Sequence, residues 1–388
     1  MFGITAGLHS TGHSVGKAYP ALTMDRVMVE LSSHGSCGLL PINFCQASSS
    51  FNPFDHVDLQ LSRAELGRHT LYEPLNGSVG LRKSICDHYR DHFGYHLEPE
   101  RVCITAGATE ALLIAFAMLT ERGGEVILPE MHFPPFRCLA HMFGVQCRFA
   151  PVNERQCLDV EQLPRLINRK TQAIIVNSPS NPHGSALSAA ELEAVAGLGV
   201  PVIFDEVYQP LGLSSAPIAS AIRFSKRHLI VNSFSKSLSL AGYRVGYLIV
   251  PEGQVSLMAD VKATTTFSTS SPGQAICEAL LGHWESLLAK HTSLLRSRWQ
   301  MFAETAASLG LKLLPAPAAG LYGLLDVAEY GRGSGQLAIE LAQKAATGVA
   351  PGSDFHASDP HFLRLNYAGP LAQIEPGLQR IASYLQRC

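Results

Sequence analysis

Short apolar runs alternate with amphipathic segments through the middle of the chain. The runs Val102–Thr105, Val126–Leu128, Ala173–Val176, Val200–Phe204, His228–Val231 and Tyr247–Val250 are apolar on both faces. Helical spacing fills the intervals from Thr109 to about Leu119, from Phe136 to Met142 and from Ser188 to Leu198. Strands without a polar face that alternate with helices predict an α/β fold, a mostly parallel sheet covered by helices. Ligands in such sheets lie at the carboxyl ends of the strands, so the loops after these runs are where chemistry is expected.

The flanks read differently. Residues 1 to about 50 form an irregular arm with a short helix near Leu22 to Leu31. Between Arg68 and Arg82, Pro74 and the Asn76-Gly77 pair are turn signals, and helical spacing runs from Ser78 to Phe93. After about Ser271 the pattern changes: one long helical region, Gln274 to Leu309, leads through Pro315–Gly320 into an apolar run, Leu321 to Val327. A last helix, Gln373 to Gln386, closes what reads as a smaller α+β domain. The expected division is an arm at 1–50 that forms part of the small domain, a large domain at 51–272 and a C-terminal small domain at 273–388.

Composition narrows the function classes. With 30 Lys and Arg against 32 Asp and Glu, nothing favours nucleic acid as a partner. No apolar run approaches the roughly 20 residues that span a bilayer, and Met1–His9 lacks a positive start and a long apolar core, so neither a membrane nor a leader is expected. Nine cysteines stand singly, without a Cys-x-x-Cys pair, and sixteen histidines form no metal-binding spacing. That pattern predicts no structural metal and a reducing, cytoplasmic setting.

The stretch with the densest chemistry is Val231–Gly246. Lys236 sits among small hydroxyl residues after an apolar run, with Gly242, Arg244 and Gly246 following. A lysine delivered by a rigid element suits Schiff-base chemistry, the arginine suits a phosphate dianion, and the glycines allow close backbone approach. Gly107-Ala108-Thr109 follows one apolar run and opens a helix, which makes an anion site, although the same residues also fit an ordinary helix start with Thr109 as N-cap. Asn181 stands beside Pro182 in the loop after another run, and Asp205-Glu206 places two carboxylates where a strand ends. A buried Asp there needs a cation, and Arg364, set between apolar residues, needs an anion.

Taken in this order, the residues resemble the class I/II aminotransferase family of fold type I pyridoxal-phosphate (PLP) enzymes, from about Asn43 to the C-terminus. The most specific motif is Ser233-x-x-Lys236-x5-Gly242-x-Arg244-x-Gly246. The resemblance implies that Lys236 forms the Schiff base and moves the α-proton, that Asp205 pairs with the pyridinium nitrogen, and that Tyr208 and Asn181 bond the ring's phenolic oxygen. Gly107, Ala108, Thr109, Ser233 and Arg244 would cradle the phosphate, Phe133 would stack on the ring, and Arg364 would grip the substrate carboxylate. Tyr72 matches the tyrosine that reaches the phosphate of the neighbouring subunit, which implies a homodimer. Three departures lie near the substrate: Cys45–Phe51 replaces a Gly-x-Pro-type turn, His183 follows Asn181-Pro182, and Pro351-Gly352 leads to Asp354-Phe355-His356. Ser48 to Ser50, His183 and His356 would make a polar entrance, and the lack of an arginine at Thr264–Ser271 argues against a dicarboxylate substrate. The expected activity is transamination of an L-amino acid to a keto acid. Elimination or replacement, cyclisation, decarboxylation or oxidation on the same scaffold stays open, as does a regulator built on it.

Overall fold

A computed structural model of the protein describes residues 22–33, 39–59, 67, 70–356, 358 and 360–387. Met1–His9, read above as no leader, and Arg68 lie outside this set.

Strand β1 (Ile42–Asn43) precedes the large sheet, whose members are β2 (Val102–Thr105), β3 (Glu125–Pro129), β4 (Gln146–Ala150), β5 (Thr171–Asn177), β6 (Val202–Asp205), β7 (Leu229–Ser233) and β8 (Gly246–Ile249). Their order is β2-β8-β7-β6-β5-β3-β4. β8 is antiparallel to both its neighbours, and every other pair is parallel. Alternate residues serve opposite faces. Ile104, Ile127, Ile174, Phe204, Ile230 and Ile249 pack with Leu81, Ile85, Leu192, Ile276 and Leu280 of one helix layer. Cys103, Val126, Leu128, Ile175, Ile203, Val231 and Leu248 pack with Ala111, Ile114, Phe116, Phe136 and Met258 of the other. Burial on both faces explains why these strands read as continuous apolar runs. Strand β4 escaped the sequence reading because it is the sheet edge: Gln146 and Arg148 point outward, and only Ala150 is fully buried.

The second sheet is antiparallel, with β11 (Ala350–Pro351), β12 (Phe362–Asn366) and β9 (Tyr322–Asp326) in that order. β10 (Thr347–Gly348) pairs in parallel with β1. The helix Thr23–Ser33 buries Val27 and Leu31 and packs on the helix Ser334–Ala345. Its first amides, Thr23 and Met24, donate to the two carboxylate oxygens of Asp354 at 2.9 and 2.8 Å. A remote carboxylate therefore does what a local N-cap side chain would do at the positive end of a helix.

The long helix expected over Gln274–Leu309 is two helices, Ser271–Leu281 and Trp284–Ser308. Gly282 caps the first, and a glycine weakens a helix interior enough to let the chain turn there. Among the described residues no helix is long and apolar enough to cross a membrane.

Candidate active site

A cavity of about 430 Å³ is lined at the carboxyl ends of β5, β6 and β7 by Asn177, Asp205 and Ser233. The loops after β2, β3 and β5 add Ala108, Thr109, Phe133 and Asn181; Tyr208, Lys236 and Arg244 follow from the loops after β6 and β7. The opposite wall comes from elsewhere in the chain: Met24, Asp25 and Met28 of the first helix, Cys45–Ala47, Phe355 and Arg364.

The pair at the end of β6 divides by strand alternation. Asp205 faces the cavity, is 3% exposed, and accepts the amide of Val207 at 3.2 Å. Burial without a neighbouring cation pushes its carboxyl up to about 7. Glu206 points the other way, where its oxygens accept from Ser220 Oγ and the Ala221 amide. Glu206 is a structural clamp; Asp205 is a carboxylate with no cationic partner among the described residues.

Lys236 is delivered by a sharp strand-to-helix turn. Ser233 ends β7 and accepts the Ser235 amide as N-cap of the one-turn helix Phe234–Ser237. The lysine's Nζ donates to the carbonyl of Ala47. Burial pulls its pKa below the usual lysine range, Tyr322 opposes this, and the charges of Arg364 and Arg244 add to it. A lowered amine pKa raises the share of the neutral, nucleophilic form.

The anion turn forms at the helix Gly107–Leu119, which starts at Gly107, so Thr109 lies in its first turn and is not the N-cap. Ala106, in the cap position, makes no side-chain bond, which leaves first-turn amides without a capping group. Arg244 reaches this end, with Nη2 at 3.4 Å from the Ala106 carbonyl and Nη1 at 2.9 Å from that of Ala241. Glycine is favoured at Gly107 by its φ of +76°, and at Gly246 by close backbone, since a Cβ there would lie 2.6 Å from the Gly107 carbonyl carbon. Arg244 itself has φ +56°, so the turn that aims it is left-handed.

On the far wall Arg364 is 2% exposed. Its Nη1 donates to Asn181 Oδ1 at 2.9 Å and its Nη2 to the Cys45 carbonyl at 2.9 Å, while Nε has no partner among the described residues. The rings of Tyr322 and Phe355 lie 4.1 and 4.5 Å from its guanidinium carbon. Tyr208 and Tyr322 share a hydrogen bond of 3.0 Å between hydroxyls, and burial holds the Tyr208 phenol well above its usual pKa.

Sequence reasoning missed Tyr322, and it placed the segments that hold Ala47 and Phe355 near the substrate without giving either residue a role. Tyr322 begins an apolar run that reads only as a strand, and Ala47 acts through its backbone, which no side-chain pattern reports. The expected polar entrance is not formed: His183 is buried against the Pro315 carbonyl, Ser49 bonds His291, and neither Ser48–Ser50 nor His356 lines the cavity. Tyr72 also lies apart from the cavity. It is 82% exposed, stacks edge-on against Phe267 at 5.5 Å, and lines a separate recess with Leu71 and Ser268–Ser271. Among the described residues no cluster of three or more metal-ligating side chains occurs.

The family described as aminotransferase class I and II matches residues 40–381. The aspartate/prephenate aminotransferase of Thermus thermophilus is 30% identical over 348 residues, covering 87% of this chain and 89% of that protein. The probable aspartate/prephenate aminotransferase of Aquifex aeolicus is 27% identical over 389 residues, covering 95% and 96%. Among solved structures, a single mutant of Thermus thermophilus aspartate aminotransferase superposes with a TM-score of 0.88 at 25% identity, over 97% of this chain and 100% of that one. The architecture is accordingly that of fold type I. Matched over nearly its whole length and carrying a lysine, an aspartate and two arginines around one cavity, the chain belongs to the class I and II aminotransferase family.

Proposed function

We propose that the cavity holds pyridoxal 5′-phosphate and that the enzyme removes the amino group of an L-amino acid to leave a keto acid. The observation that carries this is Asp205, a buried carboxylate with no cation beside it among the described residues, lining the same cavity as the buried amine of Lys236. A ring nitrogen that takes a proton against Asp205 supplies the missing charge. The uncapped first turn at Gly107 and Ala108, with Thr109, Ser233 and Arg244, suits a phosphate dianion. Phe133, Tyr208 and Asn181 line the same cavity; Phe133 would supply an aromatic wall for the ring, and Tyr208 and Asn181 would bond its phenolic oxygen.

When bound, the cofactor supplies an electron sink for the carbanion left as the α-proton departs. The chain does the rest. Lys236 would hold the cofactor through its amine, and that amine, when free, would serve as the base and acid that moves the substrate's α-proton. Arg364 holds the α-carboxylate through its unpartnered Nε, and its stacked rings and fixed Nη bonds hold the fork in one orientation.

The relatives named above act on aspartate and prephenate by their names, which supports an amino acid and a keto acid as the exchanging pair. The exposed Leu71, Tyr72 and Phe267 support a homodimer in which Tyr72 approaches the neighbouring site. We read residues 51–272 as the cofactor-bearing domain, with 1–50 and 273–388 supplying the smaller one, and the scattered cysteines as fitting the cytoplasm.

The test is a half-reaction with purified enzyme, an amino acid panel and no keto acid. Stoichiometric pyridoxamine phosphate and a keto acid are expected. Catalytic consumption of the amino acid with the cofactor unchanged would instead mean a lyase, cyclase or oxidase. Borohydride should fix the cofactor to Lys236, and a label on another lysine would overturn the assignment.

A further inference from the structure

Resting on the reading of this cavity as a transaminating site, we infer that the preferred donor is an L-amino acid with a terminal cation on an apolar side chain, and that Asp25 recognises that cation. The charged side chains that line the cavity among the described residues are Asp25, Asp205, Lys236, Arg244 and Arg364. The cofactor takes Asp205, Lys236 and Arg244, and the α-carboxylate takes Arg364. What is left for the substrate's side chain is one carboxylate, with no second cation.

The placement of that carboxylate is built by the fold. Asp25 lies in the first turn of the helix Thr23–Ser33, whose start is fixed by the two amide bonds to Asp354. Met24 and Met28, one helical turn apart, line the cavity with it, and Leu112, Phe133 and Pro135 continue an apolar wall. Asp25 remains exposed, at the mouth, and no described side chain pairs with it. A methylene stem would lie along the methionines and prolines while an ammonium or guanidinium reaches Asp25. A dicarboxylic donor meets the reverse: a like charge at Asp25 and, among the described residues that line the cavity, no further cation for its second carboxylate. The relatives named for aspartate thus share the scaffold with this chain without fixing its donor.

Norleucine matches lysine in its apolar stem and lacks only the terminal charge, so the ratio of the two isolates the proposed contact. The kcat/KM for conversion of the bound cofactor is measured by stopped-flow absorbance for lysine, ornithine, arginine, norleucine and aspartate. Lysine, ornithine or arginine should exceed both norleucine and aspartate by about tenfold or more, as a charge-assisted hydrogen bond implies. Asp25→Asn should collapse the lysine-to-norleucine ratio by about tenfold, and Asp25→Arg should move the preference toward aspartate. Calorimetric titration of cofactor-loaded Lys236→Ala with the same amino acids should give the same order without turnover. Aspartate as the best donor, or a lysine-to-norleucine ratio untouched by Asp25→Asn, overturns the inference. If no amino acid converts the cofactor, the aminotransferase reading falls, and the calorimetric order alone then decides for or against Asp25.

Discussion

Arg364 donates to Asn181 at 2.9 Å, joining strand β12 of the small sheet to the loop after β5 of the large one. The same guanidinium holds the Cys45 carbonyl, so segments more than 300 residues apart meet on one side chain. Its Nε is buried and without a partner among the described residues, which is costly unless a ligand satisfies it.

Arg364→Ala should therefore raise the KM for the amino acid by about 10²-fold, the loss of a pair of charge-assisted hydrogen bonds, and leave the bound-cofactor spectrum in place. Arg364→Lys should recover little, because an ammonium cannot reproduce the planar fork. Steady-state kinetics with spectra of both variants checks this; an unchanged KM would place the carboxylate elsewhere.

Asp205→Asn keeps the shape and can still accept the Val207 amide, yet removes the charge. Turnover should fall by roughly 10²–10³-fold, the cost of losing one preorganised electrostatic partner. Single-turnover rates with saturating donor test the prediction, and a rate near wild type would show that the carboxylate does not face the ring nitrogen.

Gly246→Ala puts a Cβ 2.7 Å from the Ala108 nitrogen and 2.9 Å from the Asn232 carbonyl oxygen. Backbone surrounds the position, so the start of the helix Gly107–Leu119 must shift. Stability should drop by about 1–3 kcal/mol, and cofactor affinity should fall with it, read by thermal melting and by cofactor titration. Retained affinity would separate the anion turn from this close approach.

Lys262 is fully buried, bonding both carboxylate oxygens of Glu110 at 3.1 and 3.0 Å and the hydroxyls of Thr266 and Thr269. Glu110 in turn accepts the Ala106 amide just before the anion turn. Lys262→Met strands that carboxylate and should cost about 3–5 kcal/mol of stability, while Lys262→Met with Glu110→Gln should recover part of it. Denaturant unfolding of the single and double variants measures the coupling; equal losses would mean the two side chains do not depend on each other.

His291 is neutral in the fold. Its Nδ1–H donates to the Ser237 carbonyl at 2.9 Å, and Nε2 lies 3.0 Å from Ser49 Oγ, a hydroxyl that can donate to the neutral ring. Burial lowers its pKa from 6.5 to about 4, so between those values the unfolded chain binds the extra proton and folding loses stability as pH falls. Relative to His291→Gln, the wild type should lose about 2 kcal/mol between pH 7.5 and 5, and the difference should level off below about pH 4. Chemical denaturation across that range decides it, and a flat difference would show that the ring is not held neutral.

The central strands and several of the residues that line the cavity were legible in the sequence because each stands in a local pattern. A strand buried on both faces has to be apolar throughout, and Ala108, Asp205 and Lys236 stand at or a few residues beyond the ends of such runs, while the motif from Ser233 to Gly246 marks Arg244. Edge strand β4 and the break at Gly282 were not legible, since partial exposure and one capping glycine leave weak signals. Bringing Asp25, Ala47 and Arg364 to the same cavity, with Tyr322 stacked behind Arg364, was decided by tertiary structure alone. So was the separation of His183 from the cavity that its neighbour Asn181 lines. Contacts between segments hundreds of residues apart depend on how the two sheets and the first helix pack, and adjacency in the chain carries no record of that packing.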